Sequence, residues 1–236
     1  YGIFNGTSNY ILSTMDKENK NFNDVLTDAK KLGYAETNPL SDLNGDDVAS
    51  KLKILSSLCF NSFIDHNIHV EGINFIDKVD IDNANKLGYK IKLLGFAELL
   101  NNKIYQRVHP TLIKKDSYVA SIDGVLNAVI IDGKPVGQSI IQGEGAGPAA
   151  TTSALVSDIS SILRGNVKFP FSLSSKERKK LSFADIEDRT FSAYLRIEVI
   201  DKPGVLSNIT NIFSKNKVSI KRLVQNPNKN KKISSI

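Results

Sequence analysis

The sequence predicts an α+β protein: helices laid on one face of a mixed or antiparallel sheet, followed by a smaller β-α-β-β unit. Three observations carry this. Residues 8–61 repeat apolar side chains at helical spacing, and strand-like runs between residues 89 and 141 pair up across turn residues. A loop-rich crossing near 164–187 then precedes a fresh β-α-β-β order. With 236 residues the chain can bury a sizeable core and fits one larger domain plus a smaller one.

Residues 1–33 read as a short extended entry and two helices. Gly6-Thr7-Ser8-Asn9 offers caps for a helix carrying Tyr10, Ile11, Leu12 and Met15, and Asn23 for a second with Val25, Leu26 and Ala29 that ends at Gly33. Asn44-Gly45 closes one segment. A helix from about Asp46 to Asn61 then gathers Val48, Leu52, Leu55 and Cys59 into one stripe. Residues 65–81 mix short extended pieces with turns, and 82–88 form a helix ending at Gly88.

Tyr89–Leu99 reads as a strand, turned by Asn101-Asn102-Lys103 into Ile104–Val108. A second hairpin pairs Ala128–Ile131 with Val136–Ile141 around Asp132-Gly133-Lys134-Pro135. Pro148 to about Leu163 is a helix with Ala149, Ala150, Leu155, Val156 and Ile159 available to the core. Beyond the crossing, Phe191, Ala193, Leu195, Ile197 and Val199 alternate in a strand. Asp201-Lys202-Pro203-Gly204 opens a helix with Val205, Ile209, Ile212 and Phe213, Val218–Val224 is a strand, Asn226-Pro227-Asn228 a turn and Ile233 the start of a third strand.

Composition narrows the function. The content of 41% hydrophobic and 24% charged residues is that of a soluble globular protein, and no run approaches the ~18 apolar residues of a membrane helix. The net charge of +6 is concentrated in Lys215, Lys217, Lys221, Arg222, Lys229, Lys231 and Lys232. No aromatic residue follows Phe213, so these charges form a solvated basic surface and not a nucleic-acid site. The single cysteine permits no internal disulfide and points to the cytoplasm. His66, His69 and His109 lack the partners of a metal site, so no metal-ligating residue is assigned.

The richest chemistry lies between Ala29 and Lys51, where Glu36, Asp42, Asp46, Asp47 and Lys51 crowd around Gly33, Pro39 and Gly45. At about 100° per residue, Asp47 and Lys51 stand one turn apart on a row continued by Ile54 and Leu58, which makes that row at least half buried. A carboxylate and an ammonium so placed need each other or a ligand, and a lysine there suits proton transfer to an oxygen. The same spacing equally describes a structural ion pair. Gly143-x-Gly145-x-Gly147 before a helix allows close approach to a polar ligand or simply a tight turn, and it lacks the setting of a dinucleotide fingerprint.

The pattern Ala29-x3-Gly33-Tyr34-Ala35-x2-Asn38-Pro39-x2-Asp42-Leu43-x-Gly45-x-Asp47-x3-Lys51 resembles, at every fixed position, the signature of homoserine dehydrogenases. Gly2-Ile3-Phe4-Asn5-Gly6-Thr7-Ser8-Asn9-Tyr10-Ile11-Leu12 and Gly143-Glu144-Gly145-Ala146-Gly147-Pro148 are similar to that family as well. The resemblance implies an oxidoreductase that interconverts L-aspartate 4-semialdehyde and L-homoserine with NADP or NAD, in threonine, methionine and isoleucine biosynthesis. It implies Lys51 as the acid that protonates the aldehyde oxygen. Asp47 would bind the substrate amino group and tune Lys51, Glu36 would hold that amino group, and Asp42 would be a further substrate-side carboxylate, the one of the set most suited to a purely structural part. Gly33, Gly145 and Gly147 are the cofactor-side candidates. The family's nucleotide-binding half is expected before Tyr1, so this segment alone should not turn over NADPH, and the ligands of the family's sodium ion belong upstream too.

The closing β-α-β-β order, with Asp201-Lys202-Pro203-Gly204-Val205-Leu206, resembles the first two-thirds of an ACT domain, a ferredoxin-like fold here left incomplete. The expected division is a catalytic domain over 1–170, a linker over 171–188 and a partial ACT domain over 189–236, with threonine as possible effector and a homodimer or homotetramer as assembly. An amino-acid-binding, dimerising regulatory module without activity of its own is the alternative.

Overall fold

The computed structural model describes residues 1–167, 174, 176–228 and 233–235, with 226–228 and 233–235 as backbone. The elements run β1 Gly2–Ile3, α1 Gly6–Glu18, α2 Phe22–Lys31, α3 Leu40–Asn44, α4 Asp46–Phe60, β2 His69–Val70, α5 Lys78–Lys86, β3 Tyr89–Leu100, β4 Lys103–Lys114, β5 Leu126–Gly133, β6 Gly137–Glu144, α6 Pro148–Leu163 and β7 Ser182–Phe183. After these come β8 Glu198–Ile200, α7 Val205–Lys215, β9 Asn226–Asn228 and β10 Ile233–Ser235. The first sheet has the order β2-β4-β3-β1-β5-β6 with β7 also on β4. Pairing is parallel for β2 and β7 and antiparallel elsewhere, so the sheet is mixed.

Helices α1, α4 and α5 pack on β3, burying Ile11, Leu12, Met15, Val48, Leu52, Ile81, Leu93 and Val108 in the main core. A smaller cluster of Ile3, Leu94, Val119, Ile122, Ala128 and Ile130 lies around β1 and β5. Asn101 and Asn102, both at positive φ, make the two-residue turn of the β3–β4 hairpin that their side chains favour. The short strand β1 runs between β3 and β5, and its Gly2 pairs with Gly95. A Cβ on Gly95 would stand 2.7 Å from the Phe4 ring, so the bare backbone there forms the slot that holds that ring.

Several local expectations change. The first helix is capped by Asn5, whose Oδ1 accepts from Ser8 N at 2.7 Å, and α2 starts after Asn21 instead of at Asn23. Helix α5 begins at Lys78 because Asp77 and Asp80 form a capping box. Cys59 is exposed, and so are Ile54 and Leu58 on the row of Asp47 and Lys51. Helix α6 has the expected bounds, yet none of its residues is buried: Leu155, Val156 and Ile159 are all exposed. Among the described residues no neighbour covers it, and β6 is exposed along its length.

The expected linker carries β7 on β4; its residues 171–173 and 175 lie outside the described residues. The closing unit orders its strands β8-β10-β9, first-third-second as in a split β-α-β arrangement. Its first strand is only Glu198–Ile200, because the preceding residues are drawn to the larger unit. Arg196 pairs with Asp77 and Asp80, the Tyr194 hydroxyl donates to Asp80, and Phe191 lies under the Arg107 guanidinium. Val218–Val224 is not a strand: Lys221 donates to Ser192 and Arg222 to the Leu87 carbonyl, which holds this stretch away from a ladder. Asn226–Asn228, expected as a turn, supplies β9 instead.

Candidate functional site

The site forms where the end of β1 meets the start of α4. Phe4, seated in its slot, turns its carbonyl toward Lys51, whose Nζ donates to it at 3.0 Å and to Asp47 Oδ2 at 2.8 Å. Gly45, at φ 88, breaks the path between α3 and α4 and lets two helices start within a few residues of each other. Asp46 and Asp47 then occupy the first turn of α4, where the helix dipole favours negative charge. The side chains of Asp47 and Lys51 remain 28% and 43% exposed, so the pair is open on one side.

Asp42, in α3, joins them through a residue that the sequence reading passed over. Asn5 donates Nδ2 to Asp42 Oδ1 at 2.7 Å and to Asp47 Oδ2 at 2.9 Å. Ser8 Oγ donates to the Asp42 carbonyl at 2.8 Å and fixes α3 against α1. Asn5 stands just before the Gly6–Asn9 run read as caps, so a helix-start role was within reach of its residue type. Its contact with residues 42 and 47 is long-range, and no local pattern signals it.

Glu36 does not enter this network. Thr7 Oγ1 donates to the Tyr34 carbonyl at 2.7 Å and the Tyr10 and Tyr34 rings meet at 4.9 Å, which sets the 33–36 loop on the first turns of α1. The Glu36 side chain is exposed and bonds to no described residue. Gly33, at φ 76, terminates α2.

Gly145 has a packing reason: a Cβ there would fall 1.9 Å from Asn127 Nδ2, which itself donates to the Phe4 carbonyl at 3.3 Å. The turn after β6 therefore lies over the same carbonyl that anchors Lys51. Gly147, at φ 100, opens α6 with no side-chain cap, leaving its first N–H groups available to a polar ligand.

The histidines form no metal set. His66 stacks on Phe183 at 3.5 Å, His69 contacts Glu71 at 2.8 Å, and burial pushes the His109 imidazole down to about 4. Among the described residues no group of three or more His, Cys, Asp or Glu could hold a metal ion. Chemically, then, the arrangement offers one anchored ammonium beside a set of carboxylates: a proton donor to an oxygen and a receptor for a cationic amino group.

A family model described as homoserine dehydrogenase matches residues 1–160, and one described as ACT domain matches 193–235. The homoserine dehydrogenase of Helicobacter pylori is 42% identical over 227 residues, 95% of this chain and 53% of that protein. A crystal structure of a homoserine dehydrogenase from Thiobacillus denitrificans superposes with a TM-score of 0.80 at 37% identity, covering 99% of this chain and 55% of that one. A hyperthermophilic archaeal homoserine dehydrogenase mutant in complex with NADPH matches with a TM-score of 0.56 at 27% identity, over 70% of this chain and 46% of that one. The chain spans about half the length of the curated relatives it matches.

Proposed function

The chain belongs to the homoserine dehydrogenase family, and from that premise we propose that it is the substrate-side segment of an enzyme interconverting L-aspartate 4-semialdehyde and L-homoserine. The observation that carries this reading is the anchorage of Lys51. An ammonium has three N–H donors; two are spent on Asp47 Oδ2 and the Phe4 carbonyl, and the third is left for a substrate oxygen. In the reducing direction Lys51 delivers its proton to the aldehyde oxygen, and in the oxidising direction it takes the proton of the homoserine hydroxyl. Asp47 keeps the ammonium in place and, with Asp42 and the exposed Glu36, receives the substrate amino group.

A nicotinamide cofactor, NADP or NAD, supplies the hydride when bound. Its contacts in this segment are assigned to Gly33, Gly145 and Gly147. The uncapped N-terminus of α6 suits a phosphate, and the described residues form a mixed sheet and not the parallel doubly wound sheet of a dinucleotide fold. The nucleotide-binding half belongs to the remainder of the whole protein, which covers the apolar face of α6, and so would the ligands of a sodium ion. This segment by itself would be inactive. The domains are assigned as 1–170 catalytic, 171–188 linker and 189–236 ACT, in a homodimer or homotetramer working in the cytoplasm on threonine, methionine and isoleucine biosynthesis. No helix among the described residues is long and apolar enough to cross a membrane.

In the full-length enzyme, Lys51→Ala should lower turnover by at least about 100-fold while the KM for the cofactor stays within about threefold. Steady-state kinetics with near-normal turnover would remove Lys51 from this role.

A second reading, an amino-acid-sensing module, is favoured by a cleft of about 400 Å3 at the start of α7, lined by Val199, Asp201, Lys202, Pro203, Gly204 and Leu206 among others. Threonine is the expected effector. Titration calorimetry should show threonine binding that Lys202→Ala and a proline-free 201–204 loop weaken; heat unchanged by both variants, or none at all, would refute it.

A further inference from the structure

We propose that Asn5 is the positioning residue of this site: a neutral bridge that lets Asp42 and Asp47 stand together as carboxylates while leaving their charge for the substrate. The inference rests on the reading of the site given above and adds a residue to it. Asn5 is 5% exposed, and all its side-chain bonds are accounted for: Oδ1 accepts from Ser8 N, and Nδ2 donates to Asp42 Oδ1 and to Asp47 Oδ2.

One nitrogen thus holds two carboxylate oxygens, at 2.7 and 2.9 Å, that would otherwise face each other with like charge. A second lysine could do the same electrostatically, but it would cancel the negative charge that a substrate ammonium needs and compete with it for the oxygens. An amide donates without carrying charge. Asp47 Oδ2 is taken by both Asn5 and Lys51, and no described residue donates to Asp47 Oδ1 or Asp42 Oδ2. These two oxygens are the ones left to receive an amino group. The bridge also sets the rotamer of Asp47, and through it the direction of Lys51.

The bland alternative is that Asn5 serves only as the cap of α1, and the two roles separate by substitution. Asn5→Ser and Asn5→Asp both retain a capping oxygen. Serine is too short to span the two carboxylates, and aspartate turns a third negative charge on them. In the full-length enzyme the bridge predicts a loss in kcat/KM for homoserine of about 10-fold for Asn5→Ser and about 100-fold for Asn5→Asp. Cofactor KM should stay within about twofold, and the melting temperature of Asn5→Ser should stay close to that of the unaltered enzyme. Near-normal kcat/KM in both variants would overturn the bridge, and so would losses that only follow a lowered melting temperature. Should Asn5→Asp not fold, Asn5→Ser decides alone. Lys51→Ala run beside them keeps the two ideas apart: an active Lys51→Ala enzyme sinks the reading of the site, whereas an inactive one with normal Asn5 variants sinks only the bridge.

Discussion

Helices α4 and α6 are of nearly equal length, 15 and 16 residues, but they have opposite fates. Helix α4 carries Asp46, Asp47, Lys51 and Lys53 and still buries Val48, Ala49, Leu52, Ser56 and Ser57 against the sheet. Helix α6 has Asp158 as its only charged residue and buries nothing, although Leu155, Val156, Ile159, Ile162 and Leu163 would make a better core face. Apolar periodicity says that a helix face wants cover; it does not say which surface supplies it. For α4 the cover is β3, which follows it in the chain after β2 and α5. For α6 the described residues contain none, in accord with a segment spanning about half of its relatives' length.

The sharpest way to break this contrast is a pair of truncations in this chain. Leu52→Ala should cost about 2–5 kcal/mol by denaturant unfolding, because it leaves a cavity in the main core. Leu155→Ala should stay within about 0.5 kcal/mol, since its side chain already meets solvent and alanine favours a helix. Equal losses would mean that α6 is packed after all.

A second distinction concerns acid. Burial and the neighbouring Arg107 guanidinium hold His109, on β4, down to about 4 against an ordinary 6.5, with Glu71 pulling the other way. Below its ordinary range the unfolded chain takes up a proton that the folded one refuses. This contribution is therefore intact above about pH 6.5 and drains away as the pH falls toward 4, to a total on the order of 3 kcal/mol. Unfolding free energies measured from pH 7 to 4 should show this slope, and His109→Gln should flatten it; an unchanged slope would place the acid sensitivity elsewhere.

The smallest effect tests the joint between the two units. Arg196→Ala strips the Asp80 carboxylate, buried at the start of α5, of its guanidinium and should cost about 2 kcal/mol. The accompanying sign would be faster proteolysis within 189–200, and protection equal to that of the unaltered chain would show that the Tyr194 and Phe191 contacts suffice.

Where local chemistry decides, the sequence was a good guide. Asn101-Asn102 can hardly do other than turn a hairpin, and α4 follows from Gly45, an acidic first turn and an apolar stripe. The structure carries β4 beyond the expected end at Val108, although Pro110 donates no hydrogen bond. Val108 O accepts from Glu71 N, so Pro110, two residues on, turns its nitrogen to the same outer edge, past the end of β2, and the strand continues to Lys114. The misreading of 218–224 has a different origin, since long-range ties from Lys221 and Arg222 override a strand-like composition. In the site, the helical spacing made Asp47 and Lys51 legible as a pair. Nothing local could bring residue 5 to residues 42 and 47.

The slot beneath Phe4 has one more consequence. Phe4 directly follows a two-residue strand clasped on both sides, by β3 and β5, while Lys51 stands on α4, which packs on β3. Donor and acceptor are thus keyed to two different elements, the helix and the end of the strand. Because the acceptor carbonyl follows directly on β1, release of that strand from between β3 and β5 would also release the anchor of Lys51.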